Sequence, residues 1–486
     1  MPDNFMPSAV DYIRVLPEIV LTIAGTLIML LEALLKESQK KIFAPFAALS
    51  LIVAGAGAIY ANGSPGLSFN DMIVVDSFAT FFRVLVITVG VLVVFCASDY
   101  LHREHAPGGE FYALILFSIM GQCVMSASNE LITIFIGLEI SSIASYILAA
   151  YLRDDRRNNE AGLKYFLLGS FATAFLLYGV AWIYGITGTT NLLEIRRALS
   201  MPGAPSVTLT AAAAALMFVG FGFKISVVPF QIWAPDVYQG APAPVAGFLT
   251  VGPKAAAFAI LLRTYLVAFM PIEQRWMPFL WACALATMIV GNFAAIQQTN
   301  IKRLLAYSSI AHAGYVLVAV TAHSGIGASA AMFYLAAYAF TNFGAFAVVS
   351  YVSNKGEKHT SINDFAGLAQ RQPMMAAMLT IFLLSLIGVP LTGGFFGKFY
   401  IFKAALDANL VWLTVLGLLN SAVAAYYYLR VLVVMYMKDP EKGAEPLPAA
   451  GPAMQIAVIA SAVGTLVLGI FPSFVLDFAT KALGID

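Results

Sequence analysis

Long apolar runs joined by short polar segments set the pattern of this chain. The runs lie at 13–35, 42–60, 77–97, 111–127, 131–151, 161–187, 207–233, 243–269, 276–296, 301–320, 326–352, 374–403, 410–437 and 452–470. A helix of about 20 apolar residues crosses the hydrocarbon core of a bilayer, so each run predicts one spanning helix. Fourteen such runs predict an all-α polytopic membrane protein. Several are longer than a straight span needs, which predicts tilt or breaks.

The runs group into a repeat. Spans 4–8 cover 111–269 and spans 9–13 cover 276–437. Each block holds five spans, and proline interrupts the fourth of each: Pro229 lies 118 residues into the first block, Pro390 114 into the second. Each interrupted span also carries one deep lysine, Lys224 or Lys398. Five is odd, so the second copy enters the membrane upside-down relative to the first, giving two inverted five-helix repeats of the kind common in secondary transporters. The expected organisation is a three-helix segment over 1–110, repeats over 111–269 and 276–437, and a C-terminal helix within 438–486. Residues 438–451 form a short connector.

Composition agrees. The chain is 60% hydrophobic and 11% charged, with mean hydropathy +0.84, which excludes an ordinary soluble domain. The net charge of +1 indicates no nucleic-acid partner. Cys96, Cys123 and Cys283 lie in apolar runs without CxxC spacing, which argues against a disulfide framework, zinc or an iron–sulfur cluster. No dinucleotide fingerprint or phosphate-binding glycine loop occurs, so no cofactor is expected in this chain. Asp3 and Asp11 precede any basic residue, unlike the basic start of a cleaved signal, so the first run reads as a retained span. Odd-numbered loops carry fifteen Lys and Arg, among them Lys442, against five in even-numbered loops and tails. The positive-inside rule then places odd loops in the cytoplasm and both termini on the periplasmic side.

Against this apolar background a few ionisable groups stand deep in the spans. Glu139 lies eight residues into its run, about 12 Å along a helix, near the middle of the core. Intramembrane carboxylates serve proton or ion pathways by default; a glutamate bonded to a neighbouring hydroxyl or lysine is the plain alternative. Lys224 is its natural partner. Burial disfavours an ammonium and a nearby carboxylate favours it, so withdrawing the carboxylate promotes proton release. A static buried ion pair is the competing reading, although such pairs stabilise little. Lys254 follows Gly252 and Pro253, where the proline frees a backbone carbonyl. It lies too far into its span for easy snorkelling. Lys398 follows Gly393, Gly394 and Gly397, which allow close backbone approach. His312 shares a helix face with Ser308 and Tyr315 and is a candidate proton relay, or a histidine merely satisfied by its neighbours. Asp236, Arg83, Arg263, Lys403 and Arg430 lie nearer the span ends and read as snorkelling or interface-paired groups. The aromatic and Met-rich stretches read as lipid-facing or packing surface.

Three motifs carry a resemblance. Gly-Leu-Glu139 is the first. Phe-Lys224-x-Ser-Val-Val-Pro-Phe-x-x-Trp-x-Pro-Asp236-x-Tyr-x-Gly-Ala-Pro-x-Pro-Val is the second. Asn300-Ile-Lys-Arg-Leu-Leu-Ala-Tyr-Ser-Ser-Ile-Ala-His312-x-Gly-Tyr is the third. Over roughly 110–437 the chain resembles the proton-pumping antiporter-like family. Its members include the large antiporter-like subunits of NADH–quinone oxidoreductase (respiratory complex I), subunits of multi-subunit sodium/proton antiporters and membrane subunits of related hydrogenases. The resemblance implies that Glu139 and Lys224 are the coupling pair, that Lys254 and His312 carry protons along a central axis, and that Lys398 is the exit-side lysine. Fourteen spans, short tails and no long lateral helix fit one of the smaller antiporter-like subunits of the bacterial inner-membrane complex. Flavin, iron–sulfur clusters and quinone would then reside in partner subunits, and other membrane-arm subunits would be its neighbours. An antiporter or hydrogenase subunit is the alternative, and a structural subunit that no longer pumps is another.

Overall fold

The computed structural model describes residues 7–36, 38–440 and 447–482; Asp3 and Lys442 fall outside them. The elements in chain order are α1 (Ala9–Arg14), α2 (Leu16–Leu34), α3 (Phe43–Ala61), β1 (Gly66–Ser68), β2 (Ile73–Val75), α4 (Ser77–Glu104), α5 (Gly109–Ala127), α6 (Leu131–Ala149) and α7 (Arg156–Thr187). There follow α8 (Leu192–Ser200), α9 (Val207–Ile225), α10 (Trp233–Gly240), α11 (Ala243–Arg263), α12 (Glu273–Ile296), α13 (Ile301–Thr321) and α14 (Gly325–Val352). The chain closes with α15 (Leu368–Arg371), α16 (Pro373–Ile387), α17 (Gly393–Asp407), α18 (Val411–Met437), α19 (Pro452–Ile470) and α20 (Ser473–Lys481). Among the described residues, thirteen helices are long and apolar enough to cross a membrane. The remaining predicted span, the twelfth at 374–403, is split: α16 and α17 are its two halves. The protein is thus a polytopic helical membrane protein of two inverted repeats.

Several predicted ends move. The run 207–233 is not one helix: α9 stops at Ile225, Ser226 turns left-handed at φ 60°, and helix resumes only at Trp233. Pro229 offers no backbone donor to continue the ladder. At the start of α7, Asp155 accepts from Arg157 N–H and begins the helix at Arg156, five residues ahead of the apolar run. After Arg263 the continuation of α11 is a π-helical turn, Thr264–Ala268. The β1–β2 hairpin and the short helices α8 and α20 had no apolar run to announce them.

The inverted repeat shows in the backbone bonds. Leu131 N–H donates to Thr190 O and Leu192 N–H donates to Asn129 O. Ile301 N–H donates to Thr360 O and Ile362 N–H donates to Thr299 O. Every residue of the second set lies 170 positions after its counterpart (301 − 131). The chain crosses five times between the two sets, in α6, α7, α9, α11 and α12, so they sit on opposite faces. Close helix contacts recur at the same offset. A Cβ on Gly121 of α5 would stand 2.6 Å from Ser141 N of α6, and one on Gly291 of α12 would stand 2.6 Å from Ala311 N of α13. Small residues let membrane helices approach where no hydrophobic effect drives them together.

Burial separates an axis from a rim. The apolar windows of α11, α13 and α14 are 100%, 94% and 94% buried, against 39% for α7 and α18. The three buried helices form the centre, and every ionisable group on them must find its partner inside the protein.

Candidate functional site

The axis starts at α11. Pro253 inside this helix leaves Leu249 O without its usual donor, and Tyr238 OH, on α10, donates to that carbonyl at 3.5 Å. The next residue, Lys254, is buried, and its Nζ donates to Ser309 Oγ at 2.6 Å and Ser309 O at 3.0 Å on α13. Among the described residues no carboxylate pairs with it.

One turn further along α13, His312 bridges two tyrosines. Its Nδ1 lies 2.5 Å from Tyr334 OH of α14, and its Nε2 3.2 Å from Tyr428 OH of α18. Neutral imidazole has one donor and one acceptor nitrogen, so either tautomer satisfies both contacts if the hydroxyls turn. Tyr428 OH is also hydrogen-bonded to Ser308 Oγ. Tyr315, on the same face, stands edge-on to the His312 ring at 5.6 Å; its hydroxyl accepts from Asn292 Nδ2, and Asn292 Oδ1 accepts from Tyr427 OH. A cavity of about 10 Å³ opens beside His312, Tyr334, Tyr338 and Ser385, roughly the room one water needs.

The second break supplies the next cation. Pro390 has no N–H for Leu386 O, and α16 ends at Ile387 with its last carbonyls unpaired along the helix. Lys398, from α17, fills the gap: Nζ donates to Leu386 O at 2.9 Å, Ile387 O at 2.8 Å and Ser421 Oγ at 2.7 Å. It also lies 5.0 Å from the centre of the Tyr315 ring. The structure thus brings Lys254, His312 and Lys398 onto one track of hydroxyls and rings.

At the first break the arrangement differs. Trp233 Nε1 donates to Phe223 O at 2.9 Å, a carbonyl that Ser226 N–H also bonds, and Lys224 takes no part in closing the end of α9. Lys224 is buried with its Nζ 5.0 Å from the Tyr146 ring, 5.1 Å from Tyr165 and 5.9 Å from Phe223. Glu139 is half-buried on α6; its Oε1 is buried and has no hydrogen-bond partner among the described residues. No ion pair or hydrogen bond joins Glu139 to Lys224 among the described residues. Beside it, Ser118, Gln122, Ser141 and Ser145 form a buried polar cluster between α5 and α6.

Of the groups placed near span ends, Lys403 is exposed and the others are paired. Asp236 receives Lys164 at 2.8 Å and Arg303 at 2.7 Å, Arg263 grips Asp76 through two bonds at 2.9 and 3.0 Å, and Arg430 donates to Ile296 O and Gln298 O. Arg83 does not snorkel: it is fully buried, 2.7 Å from Glu18. The reading of the aromatics as mere surface is also corrected, since Tyr146, Tyr165, Tyr315, Tyr334 and Tyr428 surround the buried cations and the histidine. Their signal was helical spacing: Tyr146 follows Glu139 by seven residues on α6, on the same face.

The family described as "NADH:quinone oxidoreductase/Mrp antiporter, TM" matches residues 128–424, which include all five candidate residues. The protein named NADH-quinone oxidoreductase subunit N 1 of Solibacter usitatus (strain Ellin6076) is 62% identical over 473 residues, covering 97% of each chain. A chain of the structure titled respiratory complex I from Thermus thermophilus with bound Aureothin is 34% identical at TM-score 0.82, covering 96% of this chain and 99% of that one. A chain of the Mrp complex from Dietzia sp. DQ12-45-1b has TM-score 0.84 over 98% and 97% of the chains but only 20% identity, and so shares the fold alone. The chain belongs to the NADH:quinone oxidoreductase/Mrp antiporter membrane family and, within it, to the subunits N of NADH-quinone oxidoreductase.

Proposed function

We propose that Glu139, Lys224, Lys254, His312 and Lys398 form the proton path of this proton-translocating membrane-arm subunit. The observation that carries this reading is the company the deep lysines keep. Lys254 and Lys398 are held by hydroxyls and carbonyls, and Lys224 by ring faces. A lysine held by neutral groups leaves no counter-charge unpaired when it gives up its proton. Hydroxyls both donate and accept, so Ser308, Tyr428, His312 and Tyr334 can pass a proton on by turning in place. Glu139 is the switch: its carboxylate favours the charged form of Lys224, and moving it away favours release.

The chain works as part of an enzyme complex, and the redox steps of NADH oxidation and quinone reduction belong to flavin, iron–sulfur and quinone sites in other subunits. Its neighbours are other membrane-arm subunits, including antiporter-like ones. The energy arrives as a conformational or electrostatic change, and it must exceed about 2.3 kcal/mol per proton moved against 100 mV. The repeats over 111–269 and 276–437 each supply one broken helix, with 1–110 and 438–486 as flanks. The fifteen-to-five distribution of Lys and Arg supports both termini on the periplasmic side of the bacterial inner membrane.

The test is Glu139→Gln in the native complex. Gln keeps the shape and removes the charge, so NADH-driven proton uptake into inverted vesicles falls while assembly is retained. Normal uptake per assembled complex would refute the coupling role.

A further inference from the structure

A buried carboxylate–lysine contact lies outside this path. Glu357 sits in the short loop after α14 and Lys302 is the second residue of α13; both are buried. Lys302 Nζ donates to Glu357 Oε2 at 2.5 Å and to Ala241 O at 2.6 Å. Glu357 Oε1 accepts from Ala243 N–H at 2.6 Å and from Tyr100 OH at 3.0 Å. Ala241 caps the end of α10 and Ala243 is the first residue of α11. The pair therefore grips the joint at which the lysine-bearing helix begins.

The loop that brings Glu357 there has an unusual backbone. Asn354, Gly356 and Glu357 take φ of 56°, 69° and 48°. Two of these are not glycine, and such backbone persists only where surrounding contacts over-determine it. The contacts are present: Gly356 N–H donates to Glu104 Oε1 at 2.8 Å, and Arg157 Nη2 donates to Gly356 O at 2.9 Å. The chain holds a strained turn in place to deliver one carboxylate to this joint.

Helices α11 and α13 are thus tied twice. One tie is the joint, where Glu357 and Lys302 hold Ala241 and Ala243. The other is Lys254 on Ser309, deeper along the same two helices. Lys302 and Ser309 lie about 10.5 Å apart along α13, and Ala243 and Lys254 about 16.5 Å apart along α11, at 1.5 Å per residue. Helical rods this fully buried transmit a shift at one tie to the other. We propose that Glu357 is a positioning residue for proton transfer at Lys254: with Lys302 it fixes the start of α11 against α13 and so keeps Lys254 Nζ on Ser309. The inference rests on Lys254 carrying the proton, and it adds the device that sets where Lys254 points.

The test uses the native complex in inverted membrane vesicles, with Glu357→Gln, Lys254→Ala and the double variant, reading NADH-driven proton uptake per assembled complex. Gln still accepts from Ala243 N–H and Tyr100 OH, yet leaves the Lys302 ammonium without its counter-charge. Uptake in Glu357→Gln is expected to fall on the order of ten-fold, the size of one lost charge-assisted hydrogen bond. The double variant is expected to be no worse than Lys254→Ala alone, because the first change acts through the residue the second removes. Wild-type uptake in Glu357→Gln overturns the proposal, as does a double variant that multiplies the two losses. Low assembly with normal uptake per assembled complex also overturns it, since that is a purely structural role. Normal uptake in Lys254→Ala would instead refute Lys254 as a carrier, whatever Glu357 does. If Glu357→Gln does not accumulate, Lys302→Gln takes its place under the same criteria.

Discussion

Replacing Lys398 separates a relay from a brace. Lys398→Met keeps the long apolar stem and removes every donor. The Leu386 and Ile387 carbonyls, received at 2.9 and 2.8 Å, are then left at the end of α16 with no substitute in reach among the described residues. A buried unpaired acceptor costs about 1–3 kcal/mol, so the two together cost about 2–6 kcal/mol. The Ser421 hydroxyl, received at 2.7 Å, can turn elsewhere and adds little. A loss of that size is a large part of the 5–15 kcal/mol that typically holds a domain folded. Lys398→Arg brings donors to the same carbonyls but keeps its charge at any working pH. The expected outcome is that Lys398→Met lowers the melting temperature and yield of the purified complex. Lys398→Arg assembles nearly as well as wild type, yet its NADH-driven proton uptake per assembled complex falls at least ten-fold. The two readouts are a thermal-shift assay on detergent-purified complex and a pH-sensitive dye in inverted vesicles. If Lys398→Arg pumps at the wild-type rate, the lysine only braces the break and the relay argument at this position fails.

Lys224→Arg retains a cation against Tyr146 and Tyr165 and should assemble, but its proton uptake should fall as far as that of Lys224→Ala; rescue by Arg would show a fixed charge to be enough. Ser309→Ala removes the 2.6 Å hydroxyl bond to Lys254 and leaves the 3.0 Å carbonyl bond, so uptake should drop about five-fold, matching roughly 1 kcal/mol, with Ser309→Thr near wild type. Gly291→Leu places its Cβ 2.6 Å from Ala311 N, a backbone atom that cannot step aside, and should abolish accumulation of the subunit on immunoblots. Gly185→Ala, with nothing within 4 Å, should accumulate normally.

What the sequence made legible was whatever is written along one dimension. Apolar length gave the spans, and Pro229 and Pro390 marked both breaks, because a missing donor is a property of the residue itself. Hydropathy cannot tell apolar coil from apolar helix, so the end of α9 was misplaced: Val227 and Val228 look like span and belong to the break. The candidate residues stood out as charges where charge is costly. Their partners did not, because serines, tyrosines and carbonyls are ordinary in such helices and come from far along the chain; Ser308 and Tyr428 are 120 residues apart. Glu357 was invisible for a different reason. Its neighbours Lys355 and Lys358 make the segment look like a solvated loop, and only the fold turns that loop inward.

The two breaks, related by the repeat, have been put to opposite uses. In the second, the lysine itself satisfies the carbonyls that the proline frees, and three directional bonds fix its position. In the first, Trp233 Nε1 adds a second donor to Phe223 O, which Ser226 N–H already bonds, and Lys224 is left facing rings at 5.0–5.9 Å. A ring face attracts a cation without demanding one angle from it, so Lys224 can shift within its cage at small cost. Moving Lys398 means breaking bonds to buried carbonyls, and each of those is expensive. A coupling element has to respond to the motion of a nearby charge, and in the proposed path that charge is Glu139, whose buried Oε1 has no hydrogen-bond partner among the described residues. On the proposed reading, a cation caged by rings in one repeat and a cation held by three bonds in the other would give the two halves of the fold different work.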